Sequence, residues 1–231
     1  MKTIGLIGGM SWESTVTYYR LINEAVRERL GGLHSAKLIL YSVEFHDIER
    51  LMQRGEWEAV GAALAKAAAV LESAGADFLV LCTNTMHKVA GAIEAAVGIP
   101  LLHIADPTAA AIKQAGLATV GLLGTRFTME QPFYRDRLQD RHGLRVLIPG
   151  AEECTLVHRV IFDELCLGKV VDASRRSYAQ VIDRLVGQGA EAVILGCTEI
   201  ALLIGPEESR VPLFDTTSLH ARKAVEWALA G

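Results

Sequence analysis

The chain has 231 residues, enough for one large domain or two small ones with a sizeable core. Hydrophobic residues make up 51% and charged residues 22%, and the formal net charge is −4. With arginines scattered rather than clustered, and no run of about 18 apolar residues, the chain offers neither a nucleic-acid surface nor a membrane span.

The first apolar run, TIGLIG (3–8), is too short for a signal-peptide core and stops at Gly8-Gly9. It reads as a first strand, and the setting expected is cytoplasmic. The four cysteines, Cys82, Cys154, Cys166 and Cys197, are then reduced thiols. GGMSWEST (8–15) comes next as a strand-to-helix turn. Its glycines let a ligand approach the backbone, and Ser11 is placed to cap the next helix. A tight turn with no ligand fits the same residues. The spacing is neither a dinucleotide fingerprint nor a phosphate loop.

Further along, KLILYSV (37–43), DFLVLC (77–82), IPLLHI (99–104), ATVGLLG (118–124), LRVLIP (144–149), EAVILG (191–196) and VPLFD (211–215) read as strands. They are apolar throughout rather than alternating, as strands buried on both faces of a parallel sheet are. Between them, residues 56–75 form an alanine-rich helical pattern that closes on glycine. Residues 172–190 begin with the capping-type Asp172 and also end near glycine. The class expected is α/β with mostly parallel sheets.

The chain also repeats itself. IGLIGGM at Ile4 returns as VGLLGTR at Val120, an offset of 116; GADFLVLCTN at Gly75 returns as GAEAVILGCTE at Gly189, an offset of 114; IPLLH at Ile99 returns as VPLFD at Val211, an offset of 112. Three matches in one order imply two pseudo-symmetric open parallel-sheet domains with helices on both faces and the active site between them. The domains expected are residues 1–104 with 211–231, and residues 105–210.

Each half carries a cysteine where a strand should end, before a threonine: Cys82 in LVLCTNT and Cys197 in VILGCTE. Ligands of open α/β sheets bind beyond the strand C-termini. A helix starting there would favour a thiolate and lower its pKa. A single free cysteine is usually a small buried hydrophobe, but the repeat makes these two a candidate catalytic pair. Thr125 and Thr128, in LGTRFTMEQPFY, are placed to bind a carboxylate or simply to cap a helix. Cys154 and Cys166 lack the strand-end context and read as packing residues. The seven histidines, His87 among them, show no metal-ligand spacing and read as surface or core residues.

CTNT (82–85), GCTE (196–199) and GLIGGMSWEST near the start together resemble the aspartate/glutamate racemase family over essentially the whole chain. HSAKLILYSVEF, LCTNTMHKVA and LGTRFTMEQPFY are similar to the branch with aspartate/glutamate-specific and broad-specificity members. Glutamate racemases proper usually show Cys-Thr-His at the second cysteine, where this chain has Glu199. The resemblance implies racemisation of an amino acid, aspartate or glutamate, with neither pyridoxal phosphate nor a metal. Cys82 and Cys197 would act on opposite faces of Cα. Met10, Ser11, Thr83, Asn84, Thr85, Thr125, Thr128, Thr198 and Glu199 would line the substrate. Aspartate-specific members often carry lysine before the glycine matching Gly168, where this chain has Leu167. The group for a distal carboxylate therefore stays open among Arg50, Arg54, Arg126 and Lys169, as does a broader substrate range. The resemblance also admits a homodimer, and a decarboxylase, hydantoin racemase or cis–trans isomerase. From the residues alone, a two-lobed protein that only binds a small acid remains a further alternative.

Overall fold

The computed structural model describes residues 1–230. The chain divides into two units, one running from Met1 to Ile104 and resuming at His220, the other Ala105–Leu219.

The first unit holds strands β1 (Ile4–Gly8), β2 (Leu38–Ser42), β3 (Phe78–Leu81) and β4 (Leu101–Leu102), with helices α1 (Trp12–Leu30), α2 (Phe45–Gln53), α3 (Trp57–Ser73) and α4 (Ala90–Ala96). The sheet order is β2-β1-β3-β4 and every pairing is parallel, with Ile4 opposite both Leu38 and Phe78. Side chains alternate across a strand. Ile4, Leu6, Phe78, Val80 and Cys82 meet Tyr18, Ile22 and Val26 of α1, and Ala221, Ala224 and Val225 of the last helix. The alanine-rich α3 packs along the same sheet through buried Val60, Leu64, Ala67, Ala68 and Leu71. It ends where the sequence predicts, with Gly75 at φ 95°.

The second unit holds α5 (Ala105–Gln114), β5 (Thr119–Gly124), α6 (Arg126–Glu130), α7 (Pro132–Asp136), β6 (Arg145–Leu147), α8 (Ala151–Asp163), α9 (Asp172–Gly187), β7 (Ala192–Gly196), α10 (Ile200–Leu203) and β8 (Leu213–Asp215); α11 (Thr216–Leu229) closes the described chain. Its order, β6-β5-β7-β8, is parallel throughout and repeats the first sheet strand for strand. Leu123, Val193 and Leu195 pack on Val157 and Ile161 of α8 and on Tyr178, Val181 and Leu185 of α9.

Two expectations change. Residues 211–219 belong with the second unit, because β8 pairs with β7, Val193 opposite Leu213. The repeat already made VPLFD the counterpart of IPLLH, hence the last strand of its own half. Asp172 does not cap α9: Val171 holds the cap position without a side-chain bond, and Asp172 lies in the first turn.

The turn after β1 is tightly built. Gly9 sits at φ 92° and its N–H donates to Thr15 Oγ1 at 2.8 Å, while that hydroxyl donates to Ser11 O at 2.9 Å. A Cβ at Gly9 would meet the carbonyl oxygen of Val43 and approach its nitrogen to 2.7 Å. Gly31, at φ 74°, has nothing within 4 Å of such a Cβ. Left-handed strain costs about 1–3 kcal/mol at either position. Gly9→Ala should therefore lower Tm by more than Gly31→Ala, at roughly 2–4 °C per kcal/mol, in a calorimetric comparison; equal shifts would remove the steric role of Gly9.

Candidate active site

The strand pairings gather the sequence-picked residues within each unit. β1 and β3 are neighbours, so the loops after them, carrying Met10 and Ser11 and then Cys82 through Thr85, lie side by side. Cys82 N–H continues the ladder, donating to Ile7 O at 2.9 Å. Ser11 caps α1, accepting from Ser14 N at 3.4 Å. Met10, Ser11, Thr83, Asn84 and Thr85 are all buried. In the second unit β5 and β7 are neighbours, which brings Thr125 and the first turn of α6, with Thr128, beside the loop of Cys197, Thr198 and Glu199. Thr125 caps α6, accepting from Thr128 N at 3.3 Å, and the two hydroxyls are 3.3 Å apart.

The two thiols have different surroundings. Cys82 is fully buried in the core with α1, and its Sγ reaches Val80 O at 3.9 Å. Burial pushes that thiol far above its ordinary range. Cys197 is 8% exposed, and its Sγ–H donates to Glu199 Oε2 at 2.9 Å. The same oxygen accepts from Thr198 Oγ1 at 2.6 Å, and Glu199 itself is buried. Burial first, and then the charge of Glu199, raises the Cys197 thiol well above its usual value. A lowered pKa at a helix N-terminus is thus not what either cysteine has. A single 3-10 turn (Thr85–Val89) comes after Cys82, and the four-residue α10 comes after Cys197. These short elements bring little dipole against the cost of desolvating a thiolate.

The thiols are also one residue out of step. Phe78 of β3 pairs with Ile4 as Ala192 of β7 pairs with Val120, so the two strands correspond at an offset of 114. In that frame Cys82 matches Gly196, and Cys197 matches Thr83. Cys82 shares a face with Phe78 and Val80, whereas Cys197 shares one with Val193 and Leu195. Thr83, like Cys197, is 8% exposed.

Cys154 and Cys166 pack against the second core, and burial raises Cys154 to about 11. Arg50, Arg54, Arg126 and Lys169 are all exposed. Among the described residues, no group of three or more His, Cys, Asp and Glu is arranged to hold a metal ion. Missed by the sequence reading is a cluster of buried histidines, His87, His103 and His220, in the first unit. They lie far apart in the chain, and no spacing announces them.

Each parallel sheet ends in a Cys-Thr loop, and in the second unit a carboxylate lies on the thiol. The chain belongs to the Asp/Glu/Hydantoin racemase family, whose sequence model matches residues 7–224, and it is an isomerase of the racemase type. A crystal structure from Yersinia pestis described as a candidate Asp/Glu racemase is 56% identical, covers 99% of this chain and 100% of its own, and superposes with a TM-score of 0.93. An aspartate racemase homologue from Pyrococcus horikoshii OT3 is 35% identical over 99% of each chain, with a TM-score of 0.84. The broad specificity amino-acid racemase RacX of Bacillus subtilis is 23% identical over 98% of each chain.

Because the Glu199 charge helps hold the Cys197 thiol up, Glu199→Gln should move its titration down and enlarge the thiolate fraction. Alkylation of Cys197 by iodoacetamide at pH 8, read by peptide mass spectrometry, should then accelerate, roughly tenfold for each pH unit by which the titration falls. An unchanged rate would show that Glu199 does not govern this thiol.

Proposed function

We propose that the protein interconverts the L- and D-forms of an amino acid, aspartate or glutamate first, without pyridoxal phosphate or metal, through one acid–base group on each face of Cα. The observation that carries this reading is the Cys197–Glu199 contact at the end of a buried parallel strand. A protonated thiol beside a carboxylate can pass its proton to Glu199, and the thiolate can then take the α-proton. A group on the far face supplies the new proton, and Glu199 returns its own through solvent. Two faces are needed because a single base tends to give the proton back where it left.

The thiol pair Cys82 and Cys197 fills these roles in the first form of the proposal. The offset of 114 between β3 and β7 favours a second form, in which Thr83 takes the place of Cys82. Its hydroxyl suits proton delivery better than abstraction. Met10, Ser11, Asn84, Thr85, Thr125, Thr128 and Thr198 supply amides and hydroxyls for the substrate carboxylate, where charge develops as the α-proton leaves. The aspartate racemase homologue supports an acidic substrate, and RacX keeps a broader range as the alternative. The reading includes a cytoplasmic enzyme with reduced thiols that acts as a homodimer, with a small molecule rather than nucleic acid or membrane as its partner. Among the described residues, no helix is long and apolar enough to cross a membrane.

The test is α-proton exchange in D2O, monitored by NMR, with L-aspartate, L-glutamate and a neutral L-amino acid and no added cofactor. Exchange with appearance of the D-enantiomer is expected for an acidic substrate; no exchange with any of the three would overturn the reading. Cys197→Ser should slow it by roughly a thousandfold. Between the two forms, Cys82→Ala and Thr83→Ala decide: the far-face group is whichever substitution abolishes turnover while the protein stays folded.

A further inference from the structure

Two of the buried histidines of the first unit, His87 and His220, are fixed in opposite tautomers by backbone groups. His87, His103 and His220 are 3%, 4% and 0% exposed. The His87 ring centroid lies 4.4 Å from that of His103 and 5.9 Å from that of His220. Leu102 O, which only accepts, is 2.9 Å from His220 Nε2, so that nitrogen carries the proton, and His220 Nδ1 accepts from Tyr18 Oη at 2.8 Å. At His87 the order is reversed. Ile104 N–H, which only donates, points at Nε2 from 3.2 Å, so Nε2 carries the lone pair. The proton is then on Nδ1, which donates to Thr83 O at 2.8 Å.

The Thr83 carbonyl is available because the segment after it is wound tightly. In an α-helix it would accept from the backbone N–H of His87. Here that N–H goes to Asn84 O at 3.1 Å, and Thr83 N–H turns back to Leu81 O at 2.8 Å. The His87 side chain takes the place of the missing helical donor.

We propose that His87 is the positioning residue of the Cys82–Thr85 loop: its Nδ1–H, held in that tautomer by Ile104 N–H, grips the Thr83 carbonyl and sets where the side chains at 82 and 83 point. The kinetic consequence rests on the racemase reading; the effect on the loop does not.

Asparagine places its amide nitrogen near the Nδ1 position, whereas glutamine places its terminal group near Nε2. His87→Asn therefore keeps the donor to Thr83 O, and His87→Gln loses it. Turnover of the exchanging amino acid should fall about ten- to hundredfold in kcat for His87→Gln, with KM changed less than about threefold, while His87→Asn stays within about threefold of wild type in both. Assays are run well below the lower of the two Tm values. Equal losses in the two variants, or wild-type kcat in His87→Gln, would overturn the proposal. Two readouts need no activity. Long-range 1H–15N correlation of the wild-type imidazoles should show His87 protonated at Nδ1, and protonation at Nε2 would overturn the assignment. Amide exchange at residues 83–85 should quicken in His87→Gln and not in His87→Asn; equal protection in the two overturns it. A wild type that exchanges no α-proton defeats the racemase reading alone, and these two measurements still decide the role of His87.

Discussion

Two parallel strand pairings, β1 with β3 and β5 with β7, dictate everything at the candidate site. Parallel neighbours end on the same edge of their sheet, so the loops that leave them are brought side by side without any contact between the loops themselves. The same pairing needs strands covered on both faces, which leaves no room for a polar group until the strand is over. The first positions where chemistry can begin are therefore the turns that hold Ser11, Cys82, Thr125 and Cys197. The cost of that placement is visible in the thiols: they stand where water is scarce, and desolvation outweighs the help of short helices.

Strands β1, β3, β5 and β7 are legible in the sequence because burial on both faces leaves an uninterrupted apolar run. The edge strands β2, β6 and β8 share the apolar pattern yet are only partly buried, and the glycine stop of α3 is legible because a left-handed residue is needed there. Residues 211–219 differ from the expected boundary because β8 pairs with β7 and completes the second sheet. Hydrogen bonding follows the repeat. The cap of α9 is not legible at Asp172, because a capping residue is defined by backbone geometry, which places it one position earlier at Val171. The sequence leaves Thr125 two roles, and the capping bond to Thr128 N is present in the fold.

At the site, the residue types were legible and their inequality was not. LVLCTNT and VILGCTE look alike, yet aligning the strands and aligning the cysteines require offsets of 114 and 115. That difference of one was present in the letters, but only the ladder says which frame governs where side chains point. The contact of Glu199 with the Cys197 thiol is half legible, since a residue two positions past the cysteine can turn back to it. The pairing of His87 with Thr83 and Ile104 was out of reach, because it depends on a 3-10 rather than an α-helical turn and on a strand end seventeen residues further along.

The one-residue phase difference has a thermodynamic corollary. Enantiomers have equal free energy in water, so the ratio of kcat to KM must be the same in both directions for any racemase, however unlike its two proton-handling groups are. A duplicated scaffold whose two cysteines stand one position out of step can therefore diverge only in how that common ratio is divided. One direction is free to combine tight saturation with slow turnover, and the other weak saturation with fast turnover. An asymmetric pair of groups thus leaves the equilibrium mixture untouched and makes flux depend on which enantiomer the cell accumulates.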